Sequence, residues 1–329
     1  MQALLKETNA YRLLQAEAEN GQLSHAYLLD FCDSRNLRLA LKTFAKLFFD
    51  CANGEENAPA KRRISQLIDE ENFSDCLFFP SDGKKLTVED AEKIQEESTL
   101  SPVEGNKKLF ILCDFAEANM QTQNKLLKLL EEPPQGVMFL LGATTVFPVL
   151  QTVRSRVKSL AILPFETLQV EACLKRIYGE KFDKRTLAIC AAASGGRVGE
   201  AQNVLEGGQY KTLTENAFGL ALCESAQLPL LARRVGDTKH PKELLALLRL
   251  IYRDALVLQT CKDKNKLILQ SEWETLQQVA DLYRSSSLIY AQECLSEAEK
   301  QVQFNAVFPQ CIELCIAKIQ EKNKQSRGE

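Results

Sequence analysis

The stretch from Leu109 to Val157 constrains this chain more than any other. Leu109-Phe110-Ile111-Leu112-Cys113 is an apolar run of strand length that ends in the carboxylate of Asp114. A polar segment follows, then a helix carrying Asn124-Lys125-Leu126-Leu127-Lys128-Leu129-Leu130-Glu131-Glu132. Pro133-Pro134 stops that helix, because proline has no N–H to donate and disfavours helix in the residue before it. Val137 to Leu141 reads as a second buried strand. Strand, helix, strand within such a span is the βαβ unit of a parallel sheet. A carboxylate at a strand's carboxyl end sits where such sheets bind ligands.

The flanking segments extend the same pattern. Thr8 to Glu19 predicts a helix broken by Gly21, His25 to Leu29 a strand, and Leu37 to Phe49 a helix, leaving Asp30 to Asn36 as a loop. Thr87-Val88-Glu89-Asp90 is a helix start, with the threonine as cap and the acids in the first turn, and that helix runs to about Ser98. Val157 to Leu163 is the last strand. Alternating strands and helices predict a doubly wound sheet with helices on both faces. Pro164-Phe165 marks a linker, after which Leu168 to Tyr178 and Leu187 to Ala193 are helical. From Tyr210 onward only helical periodicity is present: Leu244, Leu247, Leu248 and Ile251 share one face, and so do Leu276, Val279, Ala280 and Tyr283. The polar tail from Lys322 is expected to fray.

Composition narrows the functions available. At 329 residues, with 45% hydrophobic and 26% charged residues, the chain has material for two or three domains. A net charge of -3 argues against a generic polyanion binder, although one basic face remains compatible with it. The first 22 residues mix charge with apolar side chains and lack the core of a signal peptide, and no run approaches a membrane span. Eleven cysteines, scattered singly and mostly in apolar runs, read as reduced core thiols and point to the cytoplasm. Cys51 and Cys76, with no histidine nearby, cannot close a tetrahedral zinc site, so no metal is expected. Lys61-Arg62-Arg63 reads as a solvated helix face, Cys311 and Cys315 as core or interface residues, and the lone Trp273 makes no base-stacking platform.

Asn124, Leu126, Leu127, Lys128, Leu130 and the Glu131-Glu132-Pro133-Pro134 run, followed at the right distance by Ser155-Arg156, resemble the clamp-loader branch of the AAA+ proteins. Val157 stands where that branch has cysteine. The resemblance covers essentially the whole chain, with specific motifs only between His25 and Val157. It implies an α/β AAA+ domain, a RecA-like doubly wound parallel sheet, over residues 1–164, a small helical lid over 165–209 and an all-α collar over 210–329. It also implies a glycine-rich phosphate loop, but Asp30-Phe31-Cys32-Asp33-Ser34-Arg35-Asn36 contains no glycine, and Leu37 and Arg38 replace the phosphate-binding lysine and its hydroxyl neighbour. By the same alignment Cys113 replaces the magnesium-linked aspartate, and Asp114 falls at the catalytic glutamate. Two motifs lost together predict an inactive nucleotide site with no bound cofactor. Asp114 then has the alternative of being a strand-end cap.

Further positions follow from the resemblance. Gly142-Ala143-Thr144-Thr145 takes the place of the first sensor, which without nucleotide simply satisfies the strand end. Arg156 matches an arginine that reaches the ATP site of a neighbouring subunit; the alternative is an exposed arginine paired with a local carboxylate. Arg154 reads as a second phosphate contact or a surface charge. Ser194 to Ala201 resembles the lid segment, but Gly199 takes the sensor arginine's place and Arg197 lies two residues earlier, so a ligand-free capped turn is the preferred reading. The implied role is that of a non-hydrolysing member of a hetero-oligomer with ATP-binding tau/gamma subunits and a delta subunit, handling a sliding clamp and primer-template DNA. The alternatives are an active clamp-loader ATPase or related motor with an atypical phosphate loop, and a free-standing scaffold.

Overall fold

The computed structural model describes residues 1–50, 58–81, 85–261 and 263–328, and the chain divides into two compact units, Met1–Pro164 and Phe165–Glu329. The first unit begins with helices α1 (Gln2–Lys6) and α2 (Asn9–Glu19), strand β1 (Ala26–Phe31) and helix α3 (Ser34–Asp50). It continues through α4 (Ala58–Asp69), β2 (Cys76–Phe79), α5 (Val88–Ser98) and β3 (Lys108–Leu112). It closes with α6 (Met120–Glu131), β4 (Val137–Ala143), α7 (Gln151–Arg154) and β5 (Lys158–Ile162). All strand pairs are parallel, in the order β2-β3-β4-β1-β5. Because parallel neighbours need a crossover connection, every strand is followed by helix, and β4 is buried along its whole length.

Strand alternation decides which side chain meets which layer. Leu141 and Ala143 of β4 join Leu28, Phe110, Leu112, Ile94, Leu126 and Leu130 in the core beneath α5 and α6. Gly142, between them, faces α3, and a Cβ there would stand 2.7 Å from Leu41 Cδ1, so glycine sets how closely α3 lies on the sheet. Phe79, Phe110 and Phe139 form a stacked row across β2, β3 and β4, with centroids 6.4 and 5.4 Å apart. Burying each such ring contributes ~1.5–3 kcal/mol. The cap read at Thr87 is present as a reciprocal capping box with Asp90, and the Thr8 and Asn119 side chains cap α2 and α6 by accepting from the Tyr11 and Thr122 amides.

Long-range polar contacts fasten the connections. The fully buried Asp75 carboxylate accepts hydrogen bonds from the amides of Val103, Glu104 and Gly105 at 2.6, 2.8 and 3.1 Å, tying down the approach to β3. Buried Gln123 of α6 donates to the carbonyls of Ala118 and Pro148 at 3.0 and 3.2 Å and accepts from the Leu150 amide at 2.9 Å, so the segment after β4 is held from below. Neither residue carries a local signature in the sequence.

The second unit consists of helices, with no strand among its described residues: α8 (Thr167–Tyr178), α9 (Lys184–Ala193), α10 (Val198–Glu206), α11 (Tyr210–Leu222), α12 (Leu228–Val235), α13 (Pro241–Cys261), α14 (Trp273–Leu282), α15 (Ser285–Gln303) and α16 (Phe308–Arg327). Leu244, Leu247, Leu248 and Ile251 of α13 are fully buried, as their spacing predicted, and so are Leu276 and Val279 of α14. Cys311 and Cys315 are buried on α16. The segment Ser194 to Arg197 is a turn in which Gly195 and Gly196 adopt φ of 59° and 83°, and Arg197 Nε donates to the Ser194 carbonyl at 3.2 Å. Cys51 lies outside the described residues. No helix among them is long and apolar enough to cross a membrane.

Gly136 tests the turn between α6 and β4. It adopts φ 79°, an added Cβ would meet the Asn106 carbonyl oxygen at 2.6 Å, and its own carbonyl accepts from the Lys108 amide at 2.9 Å. Gly136→Ala is expected to destabilise the chain by ~1–3 kcal/mol, read as a lowered urea midpoint. An unchanged midpoint would contradict this close approach.

Candidate nucleotide crevice and arginine face

The expected loop from Asp30 to Asn36 is largely absent. Asp30 and Phe31 continue β1, and Ser34 already opens α3, so only Cys32 and Asp33 connect the two. The reason is the cap. Asp33 is almost completely buried; its Oδ1 accepts from the Asn36 amide at 3.1 Å and its Oδ2 from Asn36 Nδ2 at 2.9 Å. A carboxylate at this position satisfies an otherwise orphaned amide and is favoured by the helix dipole. The start of α3 is also where a phosphate would be bound in a nucleotide-binding βα unit. Here the chain supplies the anion itself. Leu37 is buried in the core.

Arg38 is held from several sides. Its Nε donates to Glu71 Oε1 at 2.6 Å, Nη2 pairs with Glu71 Oε2, and Nη1 reaches the Pro80 carbonyl at 3.3 Å and Cys113 Sγ at 3.6 Å. Lys42 Nζ adds a second cation on Glu71 Oε1 at 2.8 Å, and both cations lie over the Phe78 ring, 5.6 and 5.9 Å from its centroid. Glu71 itself adopts φ 59°, an uncommon conformation for a non-glycine residue, in the turn after α4. The Arg38 hydrogen bond, reinforced by Lys42, holds its carboxyl down at about 2. The Arg38 guanidinium is therefore part of a fixed structural cluster.

Across the crevice, the end of β3 has the opposite character. Burial pushes the Cys113 thiol up to about 11, with Arg38 pulling the other way. Asp114 sits in the left-handed region at φ 46°. Its Oδ1 is buried with no hydrogen-bond partner among the described residues. Burial, and then the nearby Glu117, raise its pKa. Thr144, at the sensor position, lies close enough to oppose that rise, and Lys85 pairs with Glu117 at 2.6 Å. Lys85, Cys113, Asp114 and Glu117, with Ser34, Leu37, Arg38 and Pro80, line a crevice of about 630 Å³. No group of three or more His, Cys, Asp or Glu among the described residues is arranged to hold a metal ion.

Arg156 lies on another face, in the turn after α7. Its Nη2 is paired with Glu131 at the end of α6, and its Nη1 donates to the Thr152 carbonyl at 2.6 Å and contacts Ser155 Oγ at 3.3 Å. In the isolated chain this is the local carboxylate pairing that was the alternative for Arg156, and Glu131 of the Glu-Glu-Pro-Pro run is the partner. Arg154 is exposed nearby. It shares with Asp30 a separate pocket that does not open on Cys113 or Asp114. The two losses expected in the crevice therefore meet in space, whereas Asp30, placed in the same loop by sequence, belongs elsewhere.

A parallel sheet of this order, with helices on both faces and a crevice at the carboxyl ends of β1 and β3, defines an α/β domain of the AAA+ type. The profile of the family described as "DNA polymerase III, delta subunit" matches residues 6–166. DNA polymerase III subunit delta' of Bacillus subtilis is 26% identical over 322 residues, 94% of this chain and 95% of that protein. DNA polymerase III subunit gamma of Buchnera aphidicola from Schizaphis graminum is 28% identical over 61% of this chain, which spans 55% of the relative's length. Among solved structures, a gamma subunit-related protein of Thermotoga maritima aligns over 94% of this chain and 99% of its own, at 16% identity and a TM-score of 0.41. The chain belongs to the DNA polymerase III clamp-loader family, on its delta-prime branch.

The Glu71 cluster gives a pH test. A carboxyl held below its ordinary value of 4.5 contributes stability that is complete above that value and is lost as pH falls toward the folded value of about 2. Glu71→Gln is expected to lower stability near neutral pH and to flatten the loss between about pH 5 and 2, measured by urea unfolding across that range. Parallel acid limbs in the two proteins would remove Glu71 from this role.

Proposed function

We propose that this chain is the non-hydrolysing, delta-prime-type subunit of a DNA polymerase III clamp loader, which leaves its own nucleotide crevice unused and lends Arg156 to a neighbouring ATP-binding subunit. One observation carries the first half: the Asp33 carboxylate occupies the start of α3, at the end of a connection only two residues long. A triphosphate brought there would need wrapping amides and a free cation, and would instead meet a buried carboxylate. Arg38 is committed to Glu71, and a thiol with a pKa pushed up to about 11 is a poor partner for magnesium. The residues present do not fit MgATP.

The second half rests on the clamp-loader motif and on the accessibility of Arg156. Its pair with Glu131 is half-exposed and so contributes little stability, which makes exchange for a phosphate partner inexpensive in free energy. A planar, permanently charged guanidinium suits bidentate contact with phosphoryl oxygens, where it offsets charge that develops during transfer. Within the same reading, residues 165–209 act as the lid and residues 210–329 as the collar joining subunits. The assembled complex with tau/gamma and delta subunits then opens the sliding clamp and passes primer-template DNA, contacted mainly at phosphates.

Two outcomes test this. Millimolar MgATP should leave the melting temperature of the isolated chain unchanged. A ligand at a hundred times its Kd adds ~2.7 kcal/mol, so a rise of several degrees would favour the active ATPase instead. In the reconstituted loader, Arg156→Ala should leave assembly intact while slowing turnover at the ATP site it serves roughly a thousandfold, and Arg156→Lys should not restore it. Undiminished turnover with Arg156→Ala would end the trans role.

A further inference from the structure

A pocket of about 690 Å³ lies wholly within the second unit, where the N-terminal halves of α8 and α9 meet α13 and the segment from Lys266 to Ser271. Four cations line it, Lys184, Arg185, Arg253 and Lys266, against the single carboxylate of Glu171. Cations gathered around one cavity repel one another. Lys184 and Arg185 are also the first two residues of α9, where the helix dipole disfavours positive charge.

The fold nevertheless fixes two of these cations. Arg185 Nε donates to Glu272 at 2.5 Å, and Arg253 Nη1 donates to Asp254 at 2.5 Å and to the Lys266 carbonyl at 3.0 Å. Both carboxylates are buried, whereas the two arginine side chains are 57% and 41% exposed. Each guanidinium is thus gripped from the inside at one part of its five-donor fork, and the rest of the fork stays available. Glu272 and Asp254 are not in the lining, so the surface offered to solvent is cationic.

The other walls narrow the choice of occupant. Leu168, which is 72% exposed, lines the pocket together with Ala188 and Ile268. Arginine forks match carboxylates in bidentate geometry, and these three residues give an apolar side chain a place to pack. A phosphodiester backbone would satisfy the cations but would bring nothing apolar to the walls. Its bases would also find no aromatic ring in the lining on which to stack.

We propose that this pocket docks an acidic segment of a partner protein that carries one large apolar side chain. Its carboxylates meet Arg185 and Arg253, and its apolar group packs on Leu168, Ala188 and Ile268. The exposed Lys184 and Lys266 steer the segment in and make its binding salt-dependent. The nucleotide crevice and Arg156 belong to the first unit, so this site stands or falls independently of them.

The test titrates the full chain into a short fluorescein-labelled peptide of aspartates around one phenylalanine, with anisotropy as the readout and thermal melts as the check on folding. Binding should saturate, and should weaken roughly tenfold or more when serine replaces the phenylalanine or asparagine replaces the aspartates. Lys184→Glu combined with Lys266→Glu should weaken it roughly tenfold or more at an unchanged melting temperature, while the double change to arginine should bind as wild type. Leu168→Ser, also at an exposed position, should weaken binding severalfold, and it decides the matter if the charge-reversed protein melts lower. Absence of saturable binding at the highest soluble concentration of the chain overturns the proposal. So does an affinity indifferent to the lysine reversal or to the loss of phenylalanine. An oligothymidine of matched charge that binds more tightly than the peptide, and is lost in the same double variant, would assign the pocket to nucleic acid instead.

Discussion

The hydrogen bond from the Asn36 amide to the Asp33 carboxylate sets the character of the first unit. It lets α3 begin within two residues of β1, where a phosphate loop would require a longer excursion with left-handed backbone positions. With the helix started there, Leu37 turns into the core and Arg38 is aimed across the crevice, close enough to reach Glu71, Pro80 and Cys113. The helix dipole is satisfied by an internal anion at no translational cost, an advantage that a diffusing phosphate cannot match. The two-residue connection, the Arg38–Glu71 clamp and the thiol at the end of β3 thus belong to one coupled packing arrangement. Changing any single residue would leave the others in conflict with it.

Much of the architecture was legible because its causes are local. The apolar run at Leu109, the proline pair after Glu132, the threonine cap at Thr87 and the heptad-like spacing on α13 each follow from periodicity or from backbone chemistry within a few residues. β1 extends two residues beyond the boundary its composition predicts, for a related reason. Asp30 looks like loop by composition, but it lies at a strand end where one side chain borders an open pocket, so a charged residue is tolerated there. Periodicity places the start of α3 at Leu37, three residues after its actual start, because Ser34-Arg35-Asn36 carries no apolar periodicity. Its helical state depends on Asp33, whose capping role is visible in sequence only once the helix start is known.

What the sequence concealed is the set of pairs far apart along the chain. Glu71 looks like one acid among several at the end of α4, and nothing local marks it as the partner of Arg38 and Lys42 or predicts its left-handed backbone. Asp75 and Gln123 are equally silent, although Asp75 serves three amides before β3 and Gln123 ties the carbonyl of Ala118 to two backbone groups of the segment after β4. These contacts form only after the sheet has brought their elements together. The resemblance supplied the importance of Arg156, but its resting partner, Glu131, emerged from the geometry.

That resting partner bears on how the proposed arginine role would work. A guanidinium waiting at a subunit surface has to be neither lost to solvent disorder nor locked into a strong internal pair. Arg156 is held by one exposed carboxylate, one helix-end carbonyl and a neighbouring hydroxyl, all within a turn or at the adjoining helix end. Exposed ion pairs contribute only ~0–1 kcal/mol, while two charge-assisted bonds to a phosphate in a dry interface are considerably stronger. In the proposed role the exchange would run toward the neighbour when an interface forms, and back to Glu131 when it opens. Arg38, clamped by Glu71 and further contacts in the partly buried crevice, has no such freedom. The same side chain is fixed as scaffold in one place and poised for exchange in another, and the difference lies in how much of its pairing is withdrawn from water.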